Sequence, residues 1–176
     1  TSACNNPRPA SQQIELAKSF INLLKAAHMN VILITAVIEG LTRLFKVTVQ
    51  AATALRSKLP VPTELKEVNE SLIYQIQLQL TLFKSLPKQF PLDNKLISQL
   101  IRQLTDLYRN TRKEEIRENG LACFKTMTSY LTKNNDNRQE NLLHLLSFYE
   151  EMEEGNSSHK RSFVILKEKL NQYFSI

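Results

Sequence analysis

The sequence predicts an all-α protein of about seven helices, stacked as antiparallel hairpins in an irregular helical bundle. The chain has 176 residues but only three glycines, fewer than the turns of a β-rich fold of this size need. Apolar residues recur three and four positions apart in one segment after another, which is the period of a helix with one buried face. The links between these segments are short, so consecutive helices are expected to lie antiparallel.

One domain is expected. A chain of 176 residues with 42% hydrophobic content can bury one core. Residues 1–10 are polar, contain two prolines and are predicted to form an N-terminal tail, and residues 11–176 are predicted to form a single helical domain. The chain begins at Thr1 without a basic-then-apolar leader, which we interpret as a fragment of a larger protein.

The second predicted helix contains the most apolar stretch of the chain, Asn30 to Phe45. A helix that is apolar on nearly every side is expected to be buried on nearly every side, so we predict that it is the central helix. Its β-branched residues also fit a strand, but the apolar series continues at helical spacing through Leu44 and Ala52. The apolar run over 31–38 is shorter than the roughly 20 residues that span a bilayer.

The other helices are predicted from caps and breakers. The predicted N-caps are Ser11 for the first helix, Thr63 for the third, Asp93 for the fourth, Thr111 for the fifth, Asp136 for the sixth and Ser158 for the seventh. Thr111 and Asp136 are each followed three residues later by a glutamate or glutamine, the spacing of a capping box. The second helix is predicted to run to about Lys58, with Gly40 as a candidate break.

Two helices have well-defined apolar positions. The fourth is predicted to bury Ile97, Leu100, Ile101, Leu104, Leu107 and Tyr108. The sixth is predicted to turn Leu142, Leu143, Leu145, Leu146, Phe148, Tyr149 and Met152 inward. The caps Asp93 and Asp136 stand 43 residues apart and each opens a pair of helices, a spacing typical of HEAT or armadillo repeats. The first half holds no third copy, so a HEAT-like stack and an irregular bundle both stay open.

The sequence contains no motif for catalysis or cofactor binding. Glycine-dependent phosphate loops and nucleophile elbows are absent, and His28, His144 and His159 have no metal-ligand spacing. We predict no enzyme activity, no cofactor and no metal site. Arg138 and His144 have the spacing found in some helical nucleases, but six residues of helix place their side chains about 120° apart.

The two cysteines, Cys4 and Cys123, allow two interpretations. As free thiols they indicate a reducing compartment, with Cys123 in the core. As a disulfide, together with sequons at Asn69 and Asn156, they fit a secreted, cytokine-like helical ligand. About seven short helices fit a stack better than a four-helix cytokine bundle, so an intracellular location, nuclear or cytoplasmic, is favoured.

Positive charge is concentrated between positions 84 and 133. This segment contains ten Lys or Arg and five Asp or Glu, so it supplies +5 of the net charge of +6. The predicted basic face consists of Lys95, Arg102 and Arg109, which are seven residues apart on the fourth helix, with Arg112 and Lys113 at the following turn. It is either a solvated polar face or a docking surface for an acidic segment or phosphates. Reversing the charges of the first three residues is expected to change stability by no more than about 0.5–1 kcal/mol.

We interpret the chain as a non-enzymatic scaffold or adaptor domain that binds an acidic peptide or protein through this basic face or an interhelical groove. The alternatives are a nucleic-acid-associated domain and the secreted ligand. No aromatic residue lies on the basic side of the fourth helix for base stacking. An acidic run, Glu150, Glu151, Glu153 and Glu154, makes self-association through opposite charges a further prediction. No membrane partner is expected.

Overall fold

The computed structural model describes residues 12, 14–16, 18, 19, 22, 30–86, 92–133, 139–155 and 158–175. Within these ranges the protein is all-helical and has no strand, which confirms the predicted fold class. The described residues of the range 12–22 are helical and belong to α1. Six helices follow: α2 (Val31–Arg56), α3 (Glu64–Ser85), α4 (Asn94–Asn110), α5 (Glu114–Lys133), α6 (Gln139–Glu154) and α7 (Lys160–Ser175).

Helices α2 to α7 form three stacked hairpins. The hairpin partners are α2 with α3, α4 with α5, and α6 with α7. Each helix also contacts the helix two positions further along, so that α2, α4 and α6 form one row and α3, α5 and α7 form the other. Helix α5 contacts α3, α4, α6 and α7 and is therefore the most enclosed of the six.

Helix α2 is not the central helix that its apolarity predicts. Its apolar residues are divided between two clusters: Ile38 and Phe45 belong to the main core, whereas Val37 and Leu41 belong to a smaller cluster against which Leu16 of α1 packs. Two buried faces explain why α2 is apolar on nearly every side although it contacts only α3 and α4 within α2–α7.

Several helix ends follow the sequence. Asp93 caps α4 as predicted, because its carboxylate accepts a hydrogen bond at 2.9 Å from the backbone N–H two residues later. Asn30 caps α2, accepting at 3.2 Å from the N–H three residues later. Gly40 does not break α2 but is buried within a continuous helix. The predicted caps Ser11 and Asp136 lie outside the described residues.

Three other predicted caps are wrong in detail. Thr63 makes no side-chain capping bond. The Thr111 hydroxyl accepts from the N–H two residues later, at 3.2 Å, and α5 begins at Glu114 rather than at residue 112. The Glu114 carboxylate lies 3.1 Å from His159 Nε2 and accepts a hydrogen bond at 3.4 Å from the Ser158 hydroxyl, so neither side chain is used as a local cap. For Glu114 and Ser158, a tertiary contact replaces the predicted capping interaction.

The core is built around aromatic rings contributed by the four helices α4 to α7. Ring centroids 5.0–6.4 Å apart join Tyr108, Phe124, Phe148, Tyr149 and Phe163. The predicted apolar face of α4 is buried in full. The prediction for α6 is wrong at Leu143, which is 53% exposed because its neighbour Leu142 and the residue Leu145 face the core instead.

Candidate functional site

The structure places Lys95, Arg102 and Arg109 along one side of α4, opposite its buried face, as the helical spacing predicts. Lys95 and Arg102 are exposed. Neither pairs with a carboxylate among the described residues. These two side chains are therefore accessible to a partner.

Arg109 is used within the molecule. Its Nε and Nη2 donate to the two carboxylate oxygens of Glu151 on α6, at 2.7 and 3.0 Å. Its Nη1 donates to Asp106 at 3.1 Å, and the guanidinium lies 5.0 Å from the ring centroid of Phe148. The hydrogen bond to Glu151 is the main cause that raises the pKa of Arg109 above its usual value. Within the predicted basic face, Arg109 is therefore already paired with carboxylates of its own chain, unlike Lys95 and Arg102.

The acidic run at the end of α6 is partly paired in the same way. Besides the Glu151 pair, Glu153 contacts the Lys167 ammonium of α7. Glu150 and Glu154 are exposed. Two of the four glutamates in the acidic run are therefore paired with cations of the same chain. Self-association through the acidic run stays a prediction.

His144 lies on α6 beside Arg102 and Arg109. Partial burial, followed by the repulsion of these two cations, lowers the pKa of His144 below its usual value. Arg138, its partner in the nuclease-like spacing, lies outside the described residues.

A glutamate, a histidine and a tyrosine that are distant in sequence form one hydrogen-bonded chain. His159 Nε2 lies 3.1 Å from Glu114 Oε1, and its Nδ1 shares a hydrogen bond of 2.8 Å with the Tyr108 hydroxyl. The sequence pattern does not reveal this set of contacts, because Glu114 and Tyr108 are 45 and 51 residues away from His159. Tyr108 is only 3% exposed and packs within the aromatic core, so the arrangement joins α4, α5 and the residues preceding α7 rather than presenting a reactive group.

The Cys123 side chain is fully buried, and burial raises the pKa of its thiol to about 12. A thiol of that pKa is protonated near neutral pH and is a poor nucleophile. Cys4 lies outside the described residues. Within the described part of the chain, no group of three or more His, Cys, Asp or Glu side chains could hold a metal ion.

Arg112 and Lys113, the other residues of the predicted basic face, line a groove of about 630 Å³ at one end of the helix stack. We call it the end groove and define it by Arg56, Leu59, Val61, Leu65, Arg112 and Lys113. Leu59 is 90% exposed and Val61 is 57% exposed. The end groove therefore combines cations with accessible aliphatic side chains, and no carboxylate is among its described lining residues.

Arg56 is a partly desolvated cation in the end groove. Burial lowers the pKa of its guanidinium below the usual value. Its Nη2 donates to the Thr53 hydroxyl at 3.4 Å, and the described residues place no carboxylate in an ion pair with it. An anion bound in the groove would supply the missing opposite charge.

A second groove, of about 570 Å³, lies between α3, α5 and α7. We call it the lysine groove, after Lys84, Lys125, Lys133 and Lys169 in its lining. Three of these lysines belong to the basic segment noted in the sequence, but Lys169 lies far beyond it. The helical period of a single element cannot show that residues from three helices converge.

No protein-family model matches the chain, and neither a curated protein nor a solved structure resembles it significantly. No helix in the described part of the chain is both long and apolar enough to cross a membrane. The candidate binding surfaces are therefore the two grooves and the exposed side of α4.

Proposed function

We propose that the protein is a non-enzymatic scaffold or adaptor domain that binds an acidic peptide segment with a large apolar side chain in the end groove. The observation that carries this proposal is the presence of three cations and two exposed aliphatic side chains in one groove: Arg56, Leu59, Val61, Arg112 and Lys113. Two of these cations, Arg112 and Lys113, belong to the predicted basic face.

The charge in the end groove favours a carboxylate-rich ligand. An ion pair at a fully exposed position contributes only about 0–1 kcal/mol. Arg56 is a better anchor because its guanidinium is already partly withdrawn from water, and a guanidinium can bind a carboxylate through two parallel hydrogen bonds. The exposed Arg112 and Lys113 would add mainly to the association rate.

The apolar residues favour a peptide over a nucleic acid. Complete burial of an exposed aliphatic side chain contributes roughly 1.5–3 kcal/mol, and Leu59 is 90% exposed. Leu59 and Val61 provide no ring on which a base could stack, and single-stranded nucleic acids depend on such stacking. A peptide that alternates acidic and apolar side chains matches both kinds of lining.

The test begins with selection of random peptides displayed on phage against the intact chain. We expect enrichment of sequences that contain Asp or Glu together with Leu, Ile, Val or Phe. The dissociation constant of a selected peptide is then measured by fluorescence anisotropy for the parent and for an Arg112→Glu/Lys113→Glu variant. Reversal of two groove charges should weaken binding about tenfold or more.

A Lys95→Glu/Arg102→Glu variant is the matched control because it changes net charge equally on the exposed side of α4. Its dissociation constant should stay within about threefold of the parent value, less than 1 kcal/mol. If the control loses binding and the groove variant does not, the partner binds the outer side of α4 and the end groove is the wrong site. Selection without acidic enrichment would contradict the proposed function itself.

A further inference from the structure

We propose that the lysine groove is a separate binding site for a compact, multiply phosphorylated anion. This inference does not depend on the peptide site, because the two grooves share no lining residue. It rests on the presence of four lysines from three helices in the lining of one concave surface.

The groove has an aromatic floor and a charged rim. Phe83 of α3 and Tyr130 of α5 lie in its lining with ring centroids 5.6 Å apart, and they are only 3% and 7% exposed. The rim consists of Lys84, Lys125, Lys133 and Lys169, all of which are exposed. The Ser129 hydroxyl also lines the groove and can donate to a bound anion, whereas the Thr126 hydroxyl already donates to the backbone carbonyl of Ala122 at 3.2 Å.

The charge balance of the groove is strongly positive. Lys84 and Lys133 lie in the last turns of α3 and α5, where each helix end carries about half a negative charge. Two helix ends therefore offset only about one of the four positive charges. None of the four lysines forms an ion pair with a carboxylate among the described residues. A polyanion bound in the groove would supply the opposite charge that these four lysines lack.

The size of the groove and its chemistry indicate neighbouring phosphates. A volume of about 570 Å³ lies within the range of about 300–1,000 Å³ that is usual for small-ligand sites. Each phosphomonoester carries about −1.5 to −2 charges near neutral pH, so two adjacent phosphates balance the excess. A peptide spreads single charges over successive residues and cannot concentrate them as densely. The rings of Phe83 and Tyr130 are buried and leave no face for a nucleotide base.

The decisive experiment is calorimetric titration of the full chain with inorganic tripolyphosphate at moderate salt. We expect saturable binding of one anion per chain. A Lys125→Gln/Lys169→Gln variant should bind at least about tenfold more weakly, whereas a Lys95→Gln/Arg102→Gln variant, with the same loss of charge, should stay within about threefold of the parent. Equal losses in the two variants, or no saturable binding by the parent, would overturn the proposal.

Thermal unfolding separates lost binding from lost folding. The side chains of Lys125 and Lys169 are exposed and form no ion pair among the described residues, so the variant without ligand should melt close to the parent. Tripolyphosphate at about a hundred times its dissociation constant should raise the parent's melting temperature by about 5 °C or more. The groove variant should show little of this rise under the same conditions, and a full rise in it would contradict the site.

Phosphates of this kind occur as free polyphosphates and as phosphorylated inositol headgroups of lipids. Vesicles of phosphatidylcholine with and without phosphatidylinositol bisphosphate distinguish the two sources in a sedimentation assay. Binding to the bisphosphate vesicles that is lost in the Lys125→Gln/Lys169→Gln variant would assign a lipid headgroup. Tripolyphosphate binding without vesicle binding would assign a free anion.

Discussion

Arg109 stabilises the contact between α4 and α6 with its whole guanidinium. The group forms two hydrogen bonds to Glu151 and one to Asp106, and it lies over the ring of Phe148. An exposed ion pair contributes about 0–1 kcal/mol, and an exposed cation–π contact adds about 0.5–1 kcal/mol. The expectation that a charge reversal costs little therefore stays a prediction for Lys95 and Arg102, which have no such contacts, and is withdrawn for Arg109.

We predict that Arg109→Met lowers the free energy of unfolding by about 1–2 kcal/mol, because it leaves Glu151 without its partner. Arg102→Met is the control on the same side of α4 and should change it by less than about 0.5 kcal/mol. Urea unfolding followed by circular dichroism measures both values. Equal effects at the two positions would mean that the Arg109 contacts contribute nothing to stability.

His144 should make stability depend on pH. Burial and the neighbouring cations lower the pKa of His144 in the folded state, so the unfolded chain binds this proton more readily and stability must fall as the pH is lowered. The fall begins near the unfolded pKa, about 6.5, and continues through the lower folded pKa. We predict that His144→Gln makes the free energy of unfolding less dependent on pH between about pH 5 and 7. Urea titrations across that range test this, and an unchanged slope would contradict it.

Gly120 is a weak point in α5, the most enclosed helix. An added Cβ atom would lie 3.5 Å from Tyr108 Cδ2 and 3.9 Å from Leu104 Cδ1, which are ordinary van der Waals distances. Alanine inside a helix is favoured over glycine by about 0.8–1 kcal/mol. The backbone of α5 therefore loses stability at this position without a steric need for glycine.

We predict that Gly120→Ala stabilises the protein by about 0.5–1 kcal/mol and raises the melting temperature by about 1–4 °C. Gly120→Val should instead lower stability by about 1–3 kcal/mol, because its two methyl groups would press against Tyr108 and Leu104. Differential scanning calorimetry on both variants gives the sign of each change. A destabilising alanine would show that the two neighbours cannot accept even one added atom.

Features that depend on residues close together in the sequence could be predicted. Features that depend on contacts between distant residues could not. The helix α4 was predictable because its cap at Asp93 and its apolar period are local. The start of α5 was not, because Glu114 is held by His159, which is 45 residues away. The lysine groove was missed for the same reason, since Lys84 and Lys169 come from different helices. Spacing along one helix predicts which side faces outward, but it cannot predict which neighbour contacts that side.

The two grooves lie at opposite ends of the pair formed by α3 and α5. The end groove contains Leu65 and Lys113, near the starts of these helices, and the lysine groove contains Phe83 and Lys133, near their ends. Eighteen residues of α3 between Leu65 and Phe83 span about 27 Å, well beyond the Debye length of about 8–10 Å at physiological salt. Charges in one groove therefore have little influence on a ligand in the other.

The main core nevertheless crosses the whole stack. It extends from Ile34 in α2 to Leu170 in α7 without interruption, and Cys123 of α5 belongs to it. Because α5 contacts both its own row and the opposite row, opening around Cys123 must disturb the packing of all three hairpins. Such a core favours a single cooperative transition.

We predict that the expected single domain over residues 11–176 unfolds in one cooperative transition. In a Cys4→Ser variant, the only thiol is that of Cys123, which is fully buried and whose pKa is raised to about 12. The thiol should react with a maleimide only in molecules that open, so labelling in brief pulses at increasing urea should have the same midpoint as the loss of far-ultraviolet circular dichroism. Labelling at clearly lower urea would mean that the packing around Cys123 opens while other helices remain folded, and the chain would then contain more than one cooperative unit.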